Sequence, residues 1–110
     1  MSVSPRDTIV VPCRGELTIR EAPALRDSLL AAIRAGAALV VLDLTEVSFI
    51  DQAAVGVLVG ARQRLVVAGG ELRLAAPAKQ VARVLGLLGL EESLPTYPSV
   101  AAAVEDPRAT

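Results

Sequence analysis

A chain of 110 residues has room for one domain rather than two, since independently folding units commonly hold about 100–200 residues. Hydrophobic residues are 53% and charged residues 21% of it, so it is neither disordered nor of low complexity, and the absence of His, with one Cys, removes imidazole-dependent nucleophile triads, His-based metal sites and any internal disulfide. Eleven basic residues stand against twelve acidic ones with no block of either sign, which speaks against a nucleic-acid partner, and one Phe with one Tyr leaves almost nothing to stack on bases.

Thr8-Ile9-Val10-Val11 is short and β-branched and predicts a strand, with Pro12 marking its end or a place at a sheet edge. Over 22–35 the apolar positions Leu25, Leu29, Ala32 and Ile33 recur at helical spacing, Pro23 lies in the first turn and Gly36 follows the last. Leu39-Val40-Val41-Leu42-Asp43-Leu44 is nearly continuous apolar sequence, as a strand covered on both faces requires. Asp51 stands where a helix N-cap belongs, ahead of a helix over 52–68 that Gly69-Gly70 stops. Leu72, Leu74 and Ala76 alternate as a strand, and Pro77 opens a helix carrying Val81, Val84, Leu85 and Leu88 that Gly89 closes. A short strand near 93–96 and a helical turn over 99–104 complete the domain, leaving 105–110 as a loose tail. The alternation predicts a single α/β domain over 1–104: a mostly parallel sheet of four or five strands with helices mainly on one face. Gly56 and Gly60, four apart on the second helix, are expected to permit close packing on the sheet or a neighbouring helix. The longest apolar stretch, 53–61, is far below the roughly 18 residues of a membrane span, so a soluble cytoplasmic protein without membrane insertion is expected.

Little in the chain supports catalysis. No G-x-G spacing or P-loop is present, so nucleotide binding has no local basis. Asp43, Glu46 and Asp51 are the candidate paired carboxylates, but a strand end and an N-cap are sufficient reasons for the two aspartates. Cys13 reads as an inert small hydrophobe beside a strand rather than a redox thiol. The segment 40–60, VVLDLTEVSFIDQAAVGVLVG, is the informative one: a buried strand leads into a helix whose first-turn amides favour an anion, where a phosphorylatable hydroxyl makes a ready switch.

Gly15-Glu16-Leu17, Val41-Leu42-Asp43-Leu44, Phe49-Ile50-Asp51, Gly56-Val57-Leu58, Gly70-x-Leu72-x-Leu74, Leu88-Gly89-Leu90 and Leu94-Pro95-x-Tyr97, spaced in that order over 8–104, resemble the STAS family of bacterial anti-sigma factor antagonists. The resemblance implies a regulatory, non-enzymatic domain without cofactor or metal. Such a domain binds a GHKL-type anti-sigma kinase, displaces the sigma factor, and is switched off when the kinase phosphorylates a Ser beside the N-cap of the second helix. This chain departs from the family there, with Gln52 at the phospho-acceptor position and Ala53 and Ala54 where Ser or Thr and Gly are common. Thr18 replaces an Asp often found after Gly-Glu-Leu. Thr18, Thr45 and Ser48 are the hydroxyls left nearby for a kinase to use instead.

The expected partner surface is therefore Glu16, Leu17, Thr18, Asp51, Gln52, Ala53, Val55 and Gly56, facing an anti-sigma factor or related signalling protein that cannot switch it off at Gln52. The alternative is a STAS scaffold or accessory subunit of a signalling complex or lipid-transport ABC system; a homodimer is left open.

Overall fold

Along residues 7–107, which the computed structural model describes, each stretch of β-branched or continuous apolar sequence forms a strand and each 3.6-period stretch a helix. The order is β1 (Thr8–Leu17), α1 (Ala22–Arg34), β2 (Leu39–Ile50), α2 (Gln52–Val67), β3 (Glu71–Ala75), α3 (Lys79–Leu87), β4 (Thr96–Tyr97) and α4 (Val100–Glu105). All four strands pair in parallel in the order β1-β2-β3-β4. Every crossover steps the same way across the sheet, and right-handed crossovers that step one way put their helices on one face. Thus α1, α2 and α3 cover Val40, Leu42, Leu44, Leu72 and Leu74. Among the described residues only α4 covers the other face, where Ala103 packs on Leu39, Val41 and Ala75. This is the expected α/β architecture. Both faces of the first half of β2 are dry, which explains the nearly continuous apolar run over 39–44; Leu39, Val40, Val41, Leu42 and Leu44 have no solvent exposure.

Several boundaries differ from the sequence reading. Pro12 does not end β1: the strand lies at the sheet edge, where a missing N–H costs no ladder bond, and it continues to Leu17 through irregularities at Pro12/Arg14 and Gly15/Glu16. That extension carries Glu16 and Leu17 up beside the end of β2. β3 stops at Ala75, because Ala76 has a φ of 55°, outside strand geometry. α3 starts two residues beyond Pro77, at Lys79, and the last strand is Thr96–Tyr97 rather than 93–96.

The chain does not loosen after 104. Glu105 belongs to α4, and Asp106 is tied to the sheet by Arg73, whose side chain is fully buried. The Arg73 guanidinium donates to the carbonyls of Ala103 (2.6 Å) and Asp106 (2.8 Å) and pairs with the Glu71 carboxylate (2.9 Å). Tyr97 lies under it, 5.3 Å from ring centroid to guanidinium, and donates its hydroxyl to Asp106 Oδ2 at 2.6 Å. A cation at the carbonyl end of α4 is where the helix dipole favours one. Residues 108–110 of the expected tail lie outside the described residues.

The expected stop at Gly69-Gly70 is present with its mechanism. Gly69 takes φ +85° and its N–H donates to Val66 O at 3.0 Å, while the Gly70 N–H donates to Leu65 O at 2.6 Å, the paired bonds of a Schellman cap. A Cβ on Gly70 would stand 2.9 Å from Ala38 O, so that position requires glycine. Gly56 and Gly60 differ: among the described residues a Cβ at either meets nothing within 4 Å, so neither serves close packing there. They lie instead on the open floor between α1 and α2, beside Leu30 and Arg64.

Candidate functional site

The carboxyl ends of β1 and β2 meet at Leu17 and Ile50, the end of a parallel sheet at which α/β folds carry their sites. Asp51 follows immediately and anchors three chain segments. Its N–H donates to Leu17 O at 3.0 Å, extending the β1–β2 pairing by one bond. Its backbone is extended, and Oδ1 accepts the Ala54 N–H at 3.0 Å, the N-cap that the sequence predicts. Oδ2 accepts the Ile19 N–H at 2.9 Å, fixing the turn between β1 and α1 onto the start of α2. One carboxylate thus holds two exposed segments as a single rigid edge.

The turn is also closed on itself. Glu21, the N-cap residue of α1, reaches back over it: its Oε1 accepts from Thr18 N at 3.0 Å and from the Thr18 hydroxyl at 2.6 Å, and Thr18 O accepts from the amides of Glu21 and Ala22. The Thr18 hydroxyl, followed by its amide, draws the Glu21 carboxyl below the ordinary carboxylate range. The candidate surface omits Glu21. Ile19, also omitted, is 69% exposed at the tip of this turn, a large apolar side chain held outward. On the opposite flank, Gln80 of α3 accepts from Ile50 N at 3.0 Å and donates to Ile50 O at 3.2 Å. Its amide pairs with the β2 backbone beyond the end of β3, and no local pattern announces that role.

Of the predicted surface, Glu16, Gln52 and Gly56 are exposed, while Thr18, Asp51 and Ala53 are half-buried. Leu17 and Val55 are 4% exposed and sit in the core under α1 and α2, so their side chains support the edge from beneath and do not present themselves on it. Gln52 is the first residue of α2, with its side chain in solvent.

The candidate carboxylates serve local structure. Asp43 Oδ1 accepts from both the amide and the hydroxyl of Thr45, Asp51 is the N-cap, and Glu46 is exposed. Burial, then the nearby Asp43 carboxylate, pushes the Cys13 thiol up to about 11, so it stays protonated and a poor nucleophile at neutral pH. No helix among the described residues is long and apolar enough to cross a membrane.

The STAS domain model matches residues 1–103. An anti-sigma-B factor antagonist of Bacillus subtilis (strain 168) is 32% identical over 84 residues, 76% of each chain. The crystal structure of an anti-sigma factor antagonist from Mycobacterium paratuberculosis superposes with a TM-score of 0.84 at 25% identity, covering 98% of this chain and 92% of that one. The Bacillus cell fate determinant SpoIIAA in its phosphorylated form does so with a TM-score of 0.68 at 26% identity, covering 88% of each. Parallel topology, an Asp-capped second helix and these matches agree: the chain belongs to the STAS domain family, in its anti-sigma factor antagonist type.

Proposed function

We propose that this protein is a cytoplasmic, non-enzymatic anti-sigma factor antagonist that docks through the Asp51 edge and is not switched by phosphorylation at Gln52. The observation that carries the reading is the Asp51 carboxylate, which bonds the Ala54 and Ile19 amides and sets Glu16, Thr18, Ile19 and Gln52 in one fixed surface. A rigid surface loses little freedom on binding, and an exposed Ile at its tip is the kind of anchor that fills a partner's pocket.

The phospho-independence follows from the same residues. A phosphoserine beside the cap would add about −1.5 to −2 charges, but Gln52, Ala53 and Ala54 offer no hydroxyl. The hydroxyls of Thr18 and Thr45 already donate to carboxylates, Glu21 and Asp43, which would repel a phosphate built there. Ser48 is exposed on β2, before the helix start. A SpoIIAA-like relative has a phosphorylated form; this chain lacks the group that would take one at the helix start.

Titration calorimetry against the cognate anti-sigma factor tests the docking surface. Ile19→Glu should weaken binding by about 30-fold, the scale of one lost hot-spot side chain, with little change in thermal unfolding because Ile19 is largely solvent-exposed and lies outside the core. Equal affinity for wild type and Ile19→Glu contradicts the reading, as does co-purification with an ABC ATPase or permease in place of an anti-sigma factor.

A further inference from the structure

A cavity of about 370 Å³ lies between α1 and α2, and a more open one of about 640 Å³ that shares Leu30, Gly60 and Arg64 with it continues the trough toward the C-terminal end of both helices. Its α2 wall is the stripe Ala53, Gly56, Gly60, Arg64 and Val67, which at 1.5 Å per residue is about 21 Å long. Gly56 and Gly60 leave the floor without side chains there, and none of the described residues occupies the space a Cβ would take. Leu30 and Val57 give the floor its apolar character, and Val67, 90% exposed, ends it. The rims are basic: Arg26 and Arg34 on α1 and Arg64 on α2 line the trough, no acidic residue does, and none of the three has a carboxylate within ion-pair distance among the described residues.

We infer that this trough is the seat of an acidic amphipathic helix from a partner protein. The two walls are helices whose mid-chain backbone groups are already bonded within each helix, so an extended peptide has no free edge to pair with, whereas a helix needs only a groove for its apolar face. The bare glycine floor lets the incoming backbone come close, as small residues do at tight helix crossings. Arg26 and Arg34 are eight residues apart on α1, so carboxylates seven or eight apart on an incoming helix of about 14 residues reach both, while Arg64 faces its other side. The trough opens at Ala53 and Gly56, next to the Asp51 edge, and one partner is able to cover both.

The test is a ¹⁵N-amide titration of the full chain with three probes: a side-chain-stapled amphipathic peptide of Leu and Ala flanked by Glu, its counterpart with Lys in place of Glu, and phosphatidylglycerol vesicles. The Glu peptide should give saturable shifts confined to 26–34 and 53–67, weakening by about tenfold when salt is raised from about 0.05 to about 0.3 M. Gly60→Leu, which fills the floor but keeps every charge, should weaken it at least about tenfold, and the Arg26→Glu/Arg64→Glu pair should turn the preference to the Lys peptide. Retained amide dispersion shows that each variant is folded. Absent or diffuse shifts, equal binding of the two peptides, binding to vesicles alone, or peptide-independent shifts from self-association that Gly60→Leu removes would each overturn the assignment. Because the probe is a synthetic helix, such a failure is distinct from failure to bind the anti-sigma factor through Ile19.

Discussion

Asp51 concentrates more structure than any other polar residue at the candidate site, since its two carboxylate oxygens and its amide engage Ala54, Ile19 and Leu17. Asp51→Ala should cost about 2 kcal/mol, a lost cap of about 1 and a lost loop bond of about 1, read as a lower urea midpoint at unchanged slope. Asp51→Asn, whose single oxygen keeps one bond, should recover roughly half of that. Cys13 makes a second residue-scale prediction. Its folded pKa of about 11 lies above the ordinary thiol value of 9.0, so the unfolded chain gives up its proton first, and the stability this thiol contributes is whole below about pH 9 and is lost as pH rises toward 11. At pH 8 the native thiol should alkylate about a hundredfold more slowly than the same thiol in urea, the ratio of thiolate populations two pKa units apart; equal rates would show that burial does not perturb Cys13.

At the scale of elements, α2 and α4 are held in contrasting ways. The cap, length and stop of α2 are written locally, in Asp51 and Gly69-Gly70, and the sequence reading recovers them. What it misjudges is Gly56 and Gly60, because a glycine pair spells close approach only if something approaches, and among the described residues nothing does. Gly60→Ala should therefore stabilise the protein by about 0.5–1 kcal/mol through helix propensity alone, a rise in the denaturation midpoint; destabilisation would mean that a neighbour does fill the trough. In α4 the holding residue is thirty positions away. Arg73 alternates with Leu72 and Leu74 as a solvent-facing strand residue would, and only the arrival of the α4 carbonyls makes its burial affordable. Period-2 patterning cannot show that, so Glu105 and Asp106 read as a tail. Arg73→Met should cost about 3 kcal/mol, since it orphans two carbonyls and Glu71, and should speed amide exchange in Val100–Glu105 before the rest of the sheet responds.

For the molecule as a whole, the topology was legible because the first half of β2 is apolar on both faces and each crossover has one helix, which leaves few right-handed arrangements. The site was legible only in part. Asp51 and Gln52 stand out in the chain, but the outward placement of Ile19 depends on Asp51 Oδ2 fixing its amide, and Gln80 meets Ile50 only because β3 ends before β2 does. Leu17 and Val55, chosen by proximity in sequence, turn inward because a strand alternates and a helix rotates. The central claim is that this surface binds whatever the kinase does. Its most direct test is the affinity for the cognate kinase-type anti-sigma factor before and after prolonged incubation with it and Mg-ATP, with the intact mass followed in parallel, for wild type, Gln52→Ser and Ala53→Ser. Wild type should keep its mass and its affinity, within about twofold, while at least one serine variant gains a phosphate and loses affinity by about tenfold or more. A phosphate gained by the wild type at any of Thr18, Thr45 or Ser48, with loss of binding, would contradict it.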